Sequence, residues 1–337
     1  MKKKFSRICN VNTQYSLLLY LVYSSWDEIC DTFFVFAGNA FKKFNAKQKF
    51  KYYNQDFRWI SIPIISFYVN ILHYWYIKKI RLPKFSHAQL FTQDHLLKDN
   101  ILIWKHPYTL IEDAPHCFRD TYWYSKSKIS REYEEERKKE LTYKLLKKHI
   151  CGPAFYNRFG NNPLCTDVLL TYDDDLDYLK NKKLHYMDFQ GKWDSFPEEK
   201  KQFILKVFEL DEDDIKIFSS RKIVIFTQPL TINYLSKERH KEIYSSIIRN
   251  YPQNDIIIKV HPRDLYPYEN DFPDAIVFRK AIPSQLFDLL GISFDKVVTL
   301  FSTAVVGVKF KELDWYGTEY VPELKNIFGK IEPPKQN

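Results

Sequence analysis

Short apolar runs rich in β-branched and aromatic residues recur along the chain. Stretches with apolar residues at helical spacing separate them. The clearest run is Ile256–Ile258, bounded by polar residues, and it predicts a strand buried on both faces. Lys259, His261 and Arg263 fall at its C-terminal end, and Pro262 stops the ladder there. Upstream, Lys222–Leu230 predicts a second strand running into the turn Thr227, Gln228, Pro229. Between the two, Ser236–Tyr251 carries Ile243, Ile247 and Ile248 at helical spacing, which completes a strand–helix–strand unit. Downstream come a strand at Ala275–Phe278 and a helix from Pro283 to Leu290, stopped by Gly291. A further strand, Val297–Phe301, delivers Ser302 and Thr303. The three strand ends reading TQP, HPR and FST are expected along one edge of one sheet.

The first half follows the same pattern. Phe5–Val11 predicts a strand, Gln14–Ser24 an amphipathic helix and Asp31–Ala37 a strand, the opening of a doubly wound α/β domain. Asn12 and Gln14 flank the first strand–helix loop, where a helix N-terminus suits hydroxyl-rich or anionic ligands; Asn12 or Thr13 serving as a plain N-cap is the competing reading. Lys42–Phe57 reads as a basic, aromatic connector or helix, and Ser66–Ile80 as a helix. His87–His95 predicts a strand ending in Gln93, Asp94 and His95; Tyr108–Ile111 predicts another ending in Glu112 and Asp113. Ser130–His149 reads as a long charged helix, Thr171–Asp177 as a solvated acidic turn, Pro197–Leu210 as a helix and Asp211–Asp214 as an acidic link. The expected domains are residues 1–205 and 215–330.

Composition narrows the partners. With 337 residues and 45% hydrophobic content, the chain can bury two ordinary cores. A net charge of +9 is compatible with an anionic sugar substrate, an anionic membrane surface or nucleic acid. The basic clusters Lys2–Lys4, Lys42–Lys51, Lys78–Lys84 and Lys138–Lys148 all lie in the first half. No nucleic-acid motif accompanies them, so nucleic acid ranks last. Five widely spaced cysteines give neither a disulfide framework nor a metal pattern and fit a reducing cytoplasm. Ile60–Ile77 has membrane-spanning length, but Pro63, Asn70 and His73 within it argue against a span.

In open α/β sheets ligands bind beyond the carboxyl ends of the strands. Lys259, His261 and Arg263 there suit a phosphate. Carboxylates at the ends of the two first-half strands, Asp94, Glu112 and Asp113, suit general base work on a sugar hydroxyl. For Asp113 the alternative is the cap of a helix beginning at Ala114–Pro115.

These motifs in order resemble glycosyltransferase family 52, the bacterial lipooligosaccharide and capsule sialyltransferases. The resemblance rests on QDH at Gln93–His95, EDA at Glu112–Ala114, FTQPL at Phe226–Leu230 and KVHPRD at Lys259–Asp264. It continues in IPSQLFDLLGI at Ile282–Ile292, FSTAV at Phe301–Val305 and DWYGTEY at Asp314–Tyr320. It implies an α/β, GT-B-like fold of two Rossmann-like domains facing a central cleft. It implies inverting, metal-independent transfer from CMP-sialic acid to a galactose-containing glycan, with no cofactor beyond that donor. His261 matches the histidine that assists the leaving phosphate, and Ser302 and Thr303 match the hydroxyls that hold it. Thr227, Gln228, Pro229, Lys259, Pro262, Arg263 and Gln285 complete the donor side; Asn12, Gln14, Asp94 and Glu112 lie on the acceptor side. The chain departs from the family pattern at Asn233, where a carboxylate is usual, so Asp113 becomes the candidate base; Ala114 and Gln285 depart too. A transferase for another nucleotide sugar, and a non-catalytic nucleotide- or glycan-binding relative, stay open as alternatives. The expected partners are a nucleotide sugar, a glycan acceptor, an anionic membrane surface and a second copy of the chain. The expected location is cytoplasmic, peripheral at the inner face of the plasma membrane.

Overall fold

A computed structural model describes residues 5–37, 41, 44–55, 88–95, 102–103, 106–118, 139, 144, 159–173, 176–232 and 234–334. The chain divides into two compact units, Met1–Lys200 and Lys201–Asn337.

The first unit contains a seven-stranded parallel sheet. Its strands are β1 (Arg7–Val11), β2 (Thr32–Ala37), β3 (Lys51–Gln55), β4 (Gln89–Thr92), β5 (Tyr108–Ile111), β6 (Cys165–Leu170) and β7 (Lys183–Tyr186). The helices of this unit are α1 (Gln14–Tyr23), α2 (Trp26–Cys30) and α3 (Phe189–Asp194), and α4 (Glu198–Val207) runs from its last residues into the second unit. The strand order is β3-β2-β1-β4-β5-β6-β7. The chain therefore leaves β1 in one direction and returns to its other side at β4. That reversal is a topological switch point, where such sheets open a crevice. Helix α1 begins there, capped by Thr13, whose side chain and that of Ser16 bond reciprocally to the backbone.

The second unit contains a five-stranded parallel sheet of order β10-β9-β8-β11-β12. It runs through α5 (Glu212–Ser219), β8 (Ile223–Phe226), α6 (Lys237–Ile248), β9 (Ile256–Lys259), α7 (Tyr268–Asp271) and β10 (Ile276–Phe278). Then come α8 (Gln285–Leu289), β11 (Ser293–Thr299), β12 (Lys309–Trp315) and α9 (Pro322–Phe328). Its switch point lies between β8 and β11. Ile256, Ile257 and Ile258 are each 0% exposed. Ile256 and Ile258 pack with Ile243, Tyr244, Ile247 and Ile248 of α6. Burying each isoleucine contributes roughly 1.5–3 kcal/mol, so the strand end that carries His261 is firmly set.

Three expectations change. Part of the segment read as a connector or helix, Lys42–Phe57, is the edge strand β3; its Lys, Tyr, Asn and Gln suit a strand paired on one side only. Asp211–Asp214 is the start of α5 rather than a link. Asp211 caps it and Asp214 bonds back, so the acidic run complements the positive helix end. Strands β6, β7 and β12 were not anticipated. The expected helix at Ser66–Ile80 and the stretch Ile60–Ile77 lie outside the described residues, and the helix at Ser130–His149 lies almost entirely outside them. Among the described residues no helix is long and apolar enough to cross a membrane.

Candidate functional site

In the first unit the switch point is built from the ends of β1, β4 and β5. Asn10 at the end of β1 donates to Thr92 Oγ1 (2.9 Å). The main-chain N–H of Asn12 donates to Gln93 Oε1 (3.0 Å), and the Asn12 amide binds the same oxygen. Gln93 then donates from Nε2 to Asp113 Oδ1 (2.7 Å). One amide side chain thus links β1, β4 and the loop after β5. Thr13 Oγ1 adds a bond to the Asp113 carbonyl (3.1 Å). The Asp113 side chain keeps 30% of its surface exposed, and His95 Nε2 lies 3.6 Å from its second oxygen.

The neighbouring carboxylates turn inward. Asp94 is fully buried and accepts from Tyr108 OH (2.7 Å), Phe159 N (2.7 Å) and Gly160 N (2.8 Å). Burial raises its pKa, and these donors oppose the rise. Phe159 holds a left-handed backbone (φ 54), and its ring stacks on His95 at 5.6 Å. Asp94 is therefore an anchor for the loop that carries Phe159, not a group open to an acceptor. Glu112 is buried too, and it accepts from Tyr15 OH (2.8 Å), Thr171 Oγ1 (2.7 Å), Thr171 N (3.1 Å) and His116 N (3.0 Å). Burial pushes its pKa up to about 7 against those four donors. The helix cap considered for Asp113 is not formed, since no helix begins at Ala114; Glu112 instead ties the turn after β5 through the His116 N–H. Gln14 is the first residue of α1, and Asn12 is committed to Gln93.

In the second unit the ends of β8, β9 and β11 lie side by side. Lys259 at the end of β9 is buried. Its ammonium bonds only weakly to the Val260 carbonyl (3.4 Å), and burial pushes its pKa down to about 8. His261 is partly buried. Its ring Nδ1 accepts from the Arg263 N–H (3.1 Å), so the proton of the neutral ring sits on Nε2. Burial, then the nearby Arg263 and Lys259 charges, push the His261 pKa down to about 3. His261 is thus a neutral hydrogen-bond donor of fixed tautomer, not the cation its basic surroundings in the sequence suggested. Pro262 and Arg263 are exposed beside it.

Across the switch point, Ser302 caps the 3₁₀ turn Thr303–Gly307 by accepting from Ala304 N (3.3 Å), and its own N–H bonds Thr299 Oγ1 (3.2 Å). A Cβ on Gly307 would fall 2.5 Å from the Gln285 nitrogen. The absent side chain therefore lets the end of this turn pack directly on Ser284 and Gln285 at the start of α8.

Thr227 and Gln228 act differently from expectation. The Thr227 hydroxyl is buried; it donates to Asp264 (2.7 Å) and accepts from His261 N (3.0 Å). The Gln228 N–H is bound by Tyr244 OH, and Pro229 is buried. Asp264, Tyr244 and His95 were missed as functional residues. Asp264 and His95 stand inside the quoted motifs KVHPRD and QDH, but nothing in the motifs says which side chains turn inward. Asn233 lies outside the described residues. Among the described residues no group of three or more His, Cys, Asp or Glu could hold a metal ion.

Comparisons with known proteins bear on the family and the fold. The model of glycosyltransferase family 52 matches residues 26–323. An uncharacterized protein of Haemophilus influenzae is 29% identical over 250 residues, 74% of each chain. Among solved structures, the α/β-galactoside α-2,3-sialyltransferase of Photobacterium phosphoreum superposes with a TM-score of 0.56 at 12% identity, covering 93% of this chain and 91% of its own. The GT-B domain of the Photobacterium damselae sialyltransferase gives 0.54 at 14% identity, covering 91% and 89%. A 2,6-sialyltransferase of Photobacterium sp. JT-ISH-224, in a ternary complex with CMP and lactose, gives 0.51 at 10% identity, covering 91% and 71%. The fold is the mixed α/β, parallel-sheet arrangement of these GT-B enzymes. With its two parallel sheets, its HPR and FST strand ends and a family model spanning most of its length, the chain belongs to glycosyltransferase family 52.

Proposed function

We propose that this family-52 glycosyltransferase moves sialic acid from CMP-sialic acid to a galactose-containing surface glycan by a single inverting displacement. The observation that carries the reading is that His261 and the Ser302–Thr303 turn follow the ends of β9 and β11, the strands on either side of β8 in the second sheet. The CMP and lactose bound to one structural relative support the choice of donor and acceptor.

On this reading the second unit holds the nucleotide. The acceptor oxygen forms a bond to the anomeric carbon as the bond from that carbon to the CMP phosphate breaks. The phosphate keeps the electron pair. A phosphate monoester has a second pKa of about 6, so it leaves as a dianion at neutral pH without taking a full proton. What it needs is donors aimed at its oxygens, and the His261 Nε2–H is one already oriented. Arg263 and the hydroxyls of Ser302 and Thr303 add charge and hydrogen bonds. In the first unit Asp113 receives the acceptor's hydroxyl proton; Gln93 fixes one of its oxygens and leaves the other to react. The basic first-half clusters, which lie largely outside the described residues, would hold the enzyme at an anionic membrane face.

Calorimetry with CMP, UDP and GDP tests the donor assignment. CMP should bind the tightest of the three, and its affinity should weaken in Ser302→Ala. Preference for UDP or GDP would replace CMP-sialic acid with another nucleotide sugar on the same fold.

A further inference from the structure

Beneath the loop carrying His261 lies a buried polar network that the reaction as described does not use. Its hub is Asp264, whose side chain is 0% exposed. Oδ2 accepts from the Thr227 hydroxyl (2.7 Å) and from the Tyr268 hydroxyl (2.9 Å), and Oδ1 from Tyr266 N (3.1 Å). A carboxylate can only accept, so it forces both hydroxyl protons to point at it. Each hydroxyl oxygen is then left as an acceptor on its other side. The Thr227 oxygen takes the main-chain N–H of His261 (3.0 Å), and the Tyr268 oxygen is left to His240 Nε2 (3.0 Å).

We infer that Asp264 is a positioning residue for His261, acting through the Thr227 hydroxyl. The chain of bonds runs from Asp264 to Thr227 Oγ1 to the His261 backbone. The ring is then set by the bond from Arg263 N to Nδ1. Two of the links come from a strand end, β8, and one from the loop itself, so the loop is registered against the sheet rather than floating beyond it. Asparagine cannot substitute cleanly. Whichever way it turns, its NH₂ meets either the two hydroxyl protons or the Tyr266 N–H. If Thr227 loses its orienting acceptor, its own proton can turn toward the His261 N–H, and the tie becomes a repulsion.

The network has its own cost on the far side. His240 is 0% exposed, and its Nδ1 has no hydrogen-bond partner among the described residues. Burial lowers its pKa, opposed by Asp264. A neutral His240 donating to Tyr268 completes the directions already fixed by the carboxylate. The rings packed on His240 are those of Tyr244, Tyr266 and Tyr268, and the charge of Arg279, which donates to the Tyr266 carbonyl (2.7 Å), acts on Asp264. The buried Asp264 therefore orients the Thr227 and Tyr268 hydroxyls, while the Tyr266 hydroxyl donates to Asp271 instead.

The inference deepens the sialyltransferase reading and rests on it for its effect on rate, but its structural half can be read without activity. Thr227→Val, Thr227→Ser and Asp264→Asn are compared with the parent chain. Misplacement of a reacting group by a fraction of its length lowers turnover steeply, so Thr227→Val and Asp264→Asn should lower kcat about 10–100-fold. CMP affinity and the acceptor KM should stay within about threefold, and Thr227→Ser should return kcat to within about threefold of the parent. In parallel, with nitrogen-15-labelled histidine and His261→Ala used for assignment, the parent should show a protected His261 amide and one neutral ring tautomer with the proton on Nε2. Thr227→Val and Asp264→Asn should lose that protection, and Thr227→Ser should keep it. Parent-like kcat and parent-like amide protection in Thr227→Val would overturn the inference. So would a loss of kcat matched by equal losses of CMP affinity and melting temperature, which describes a merely structural residue. If the parent itself transferred no sialic acid, the proposed function would fail, and the amide and tautomer signals would still decide the positioning role.

Discussion

At the carboxyl edge of the first sheet the chemistry is acidic: Asp94, Glu112 and Asp113 follow two adjacent strands. At the edge of the second it is basic: Lys259, His261 and Arg263 follow one strand, above the single buried Asp264. Despite the opposite charge, both edges pair an inward side chain with an outward neighbour. Asp94 anchors a loop while His95 stays accessible, and Glu112 ties a turn while Asp113 stays accessible. Asp264 is buried while Arg263 is exposed. After β4 and β5 successive side chains leave the chain in opposite directions, whereas Arg263 and Asp264 are parted by the turn that the Asp264 N–H closes on the His261 carbonyl (2.8 Å). The buried partner fixes the loop that aims the exposed one.

The comparison can be broken first at its outward members. Asp113→Asn should abolish measurable transfer, since loss of a general base typically costs roughly 10²–10⁴-fold, while CMP affinity stays near the parent value. Loss of CMP binding in this variant would instead make Asp113 structural. His261→Ala should lower turnover about 10²–10³-fold with an unchanged fold by circular dichroism, the usual loss when one oriented donor to developing charge is removed. Turnover at the parent rate would exclude the role given to its Nε2–H.

One group at each edge should respond to pH, and in opposite senses. Glu112 has its folded pKa raised to about 7 from 4.5. Its contribution to stability is full below about pH 4.5 and is lost as pH rises toward 7, because the folded state keeps a proton that the unfolded state has released. His261 has its pKa lowered to about 3 from 6.5. Its contribution is full above about pH 6.5 and is lost as pH falls toward 3. Each slope reaches at most about 1.4 kcal/mol per pH unit. Between about pH 4.5 and 6.5 the two slopes oppose each other, so in urea unfolding Glu112→Gln should leave a rise of stability with pH there and His261→Ala should leave a fall. An unchanged profile in either variant would contradict the burial assigned to that group. The smallest expected effect is at the membrane. Co-sedimentation with anionic liposomes should weaken with salt, by on the order of 1 kcal/mol per basic residue near the surface. Equal binding to neutral liposomes would remove the membrane role.

Much of this was legible in the sequence. The triple isoleucine run and the Ile243, Ile247, Ile248 stripe announced β8-α6-β9, because each buries on the period its element requires. The HPR and FST strand ends followed from the same pattern, and their adjacency followed from the sheet order. What escaped was governed by partners rather than by pattern. Strand β12, KFKELDW, is an edge strand with several exposed residues and reads as polar. Strand β6 begins Cys-Thr-Asp and shows only a short apolar run. Helix α5 hid behind its acidic first turn. At the site, Asp94, Glu112 and Thr227 looked like ligand contacts because a motif names residue types and not directions. Only the burial of Asp94 with Phe159 and Gly160, of Glu112 with Tyr15 and Thr171, and of Thr227 with Asp264 shows which way each points.

The most direct test is turnover of CMP-sialic acid by the full-length chain with lactose as acceptor, following CMP release and sialylated product together. The account predicts both in equal amounts, with no added metal and with the product's anomeric configuration inverted relative to the donor. Failure to consume CMP-sialic acid, alongside turnover of another nucleotide sugar or of none, would contradict it.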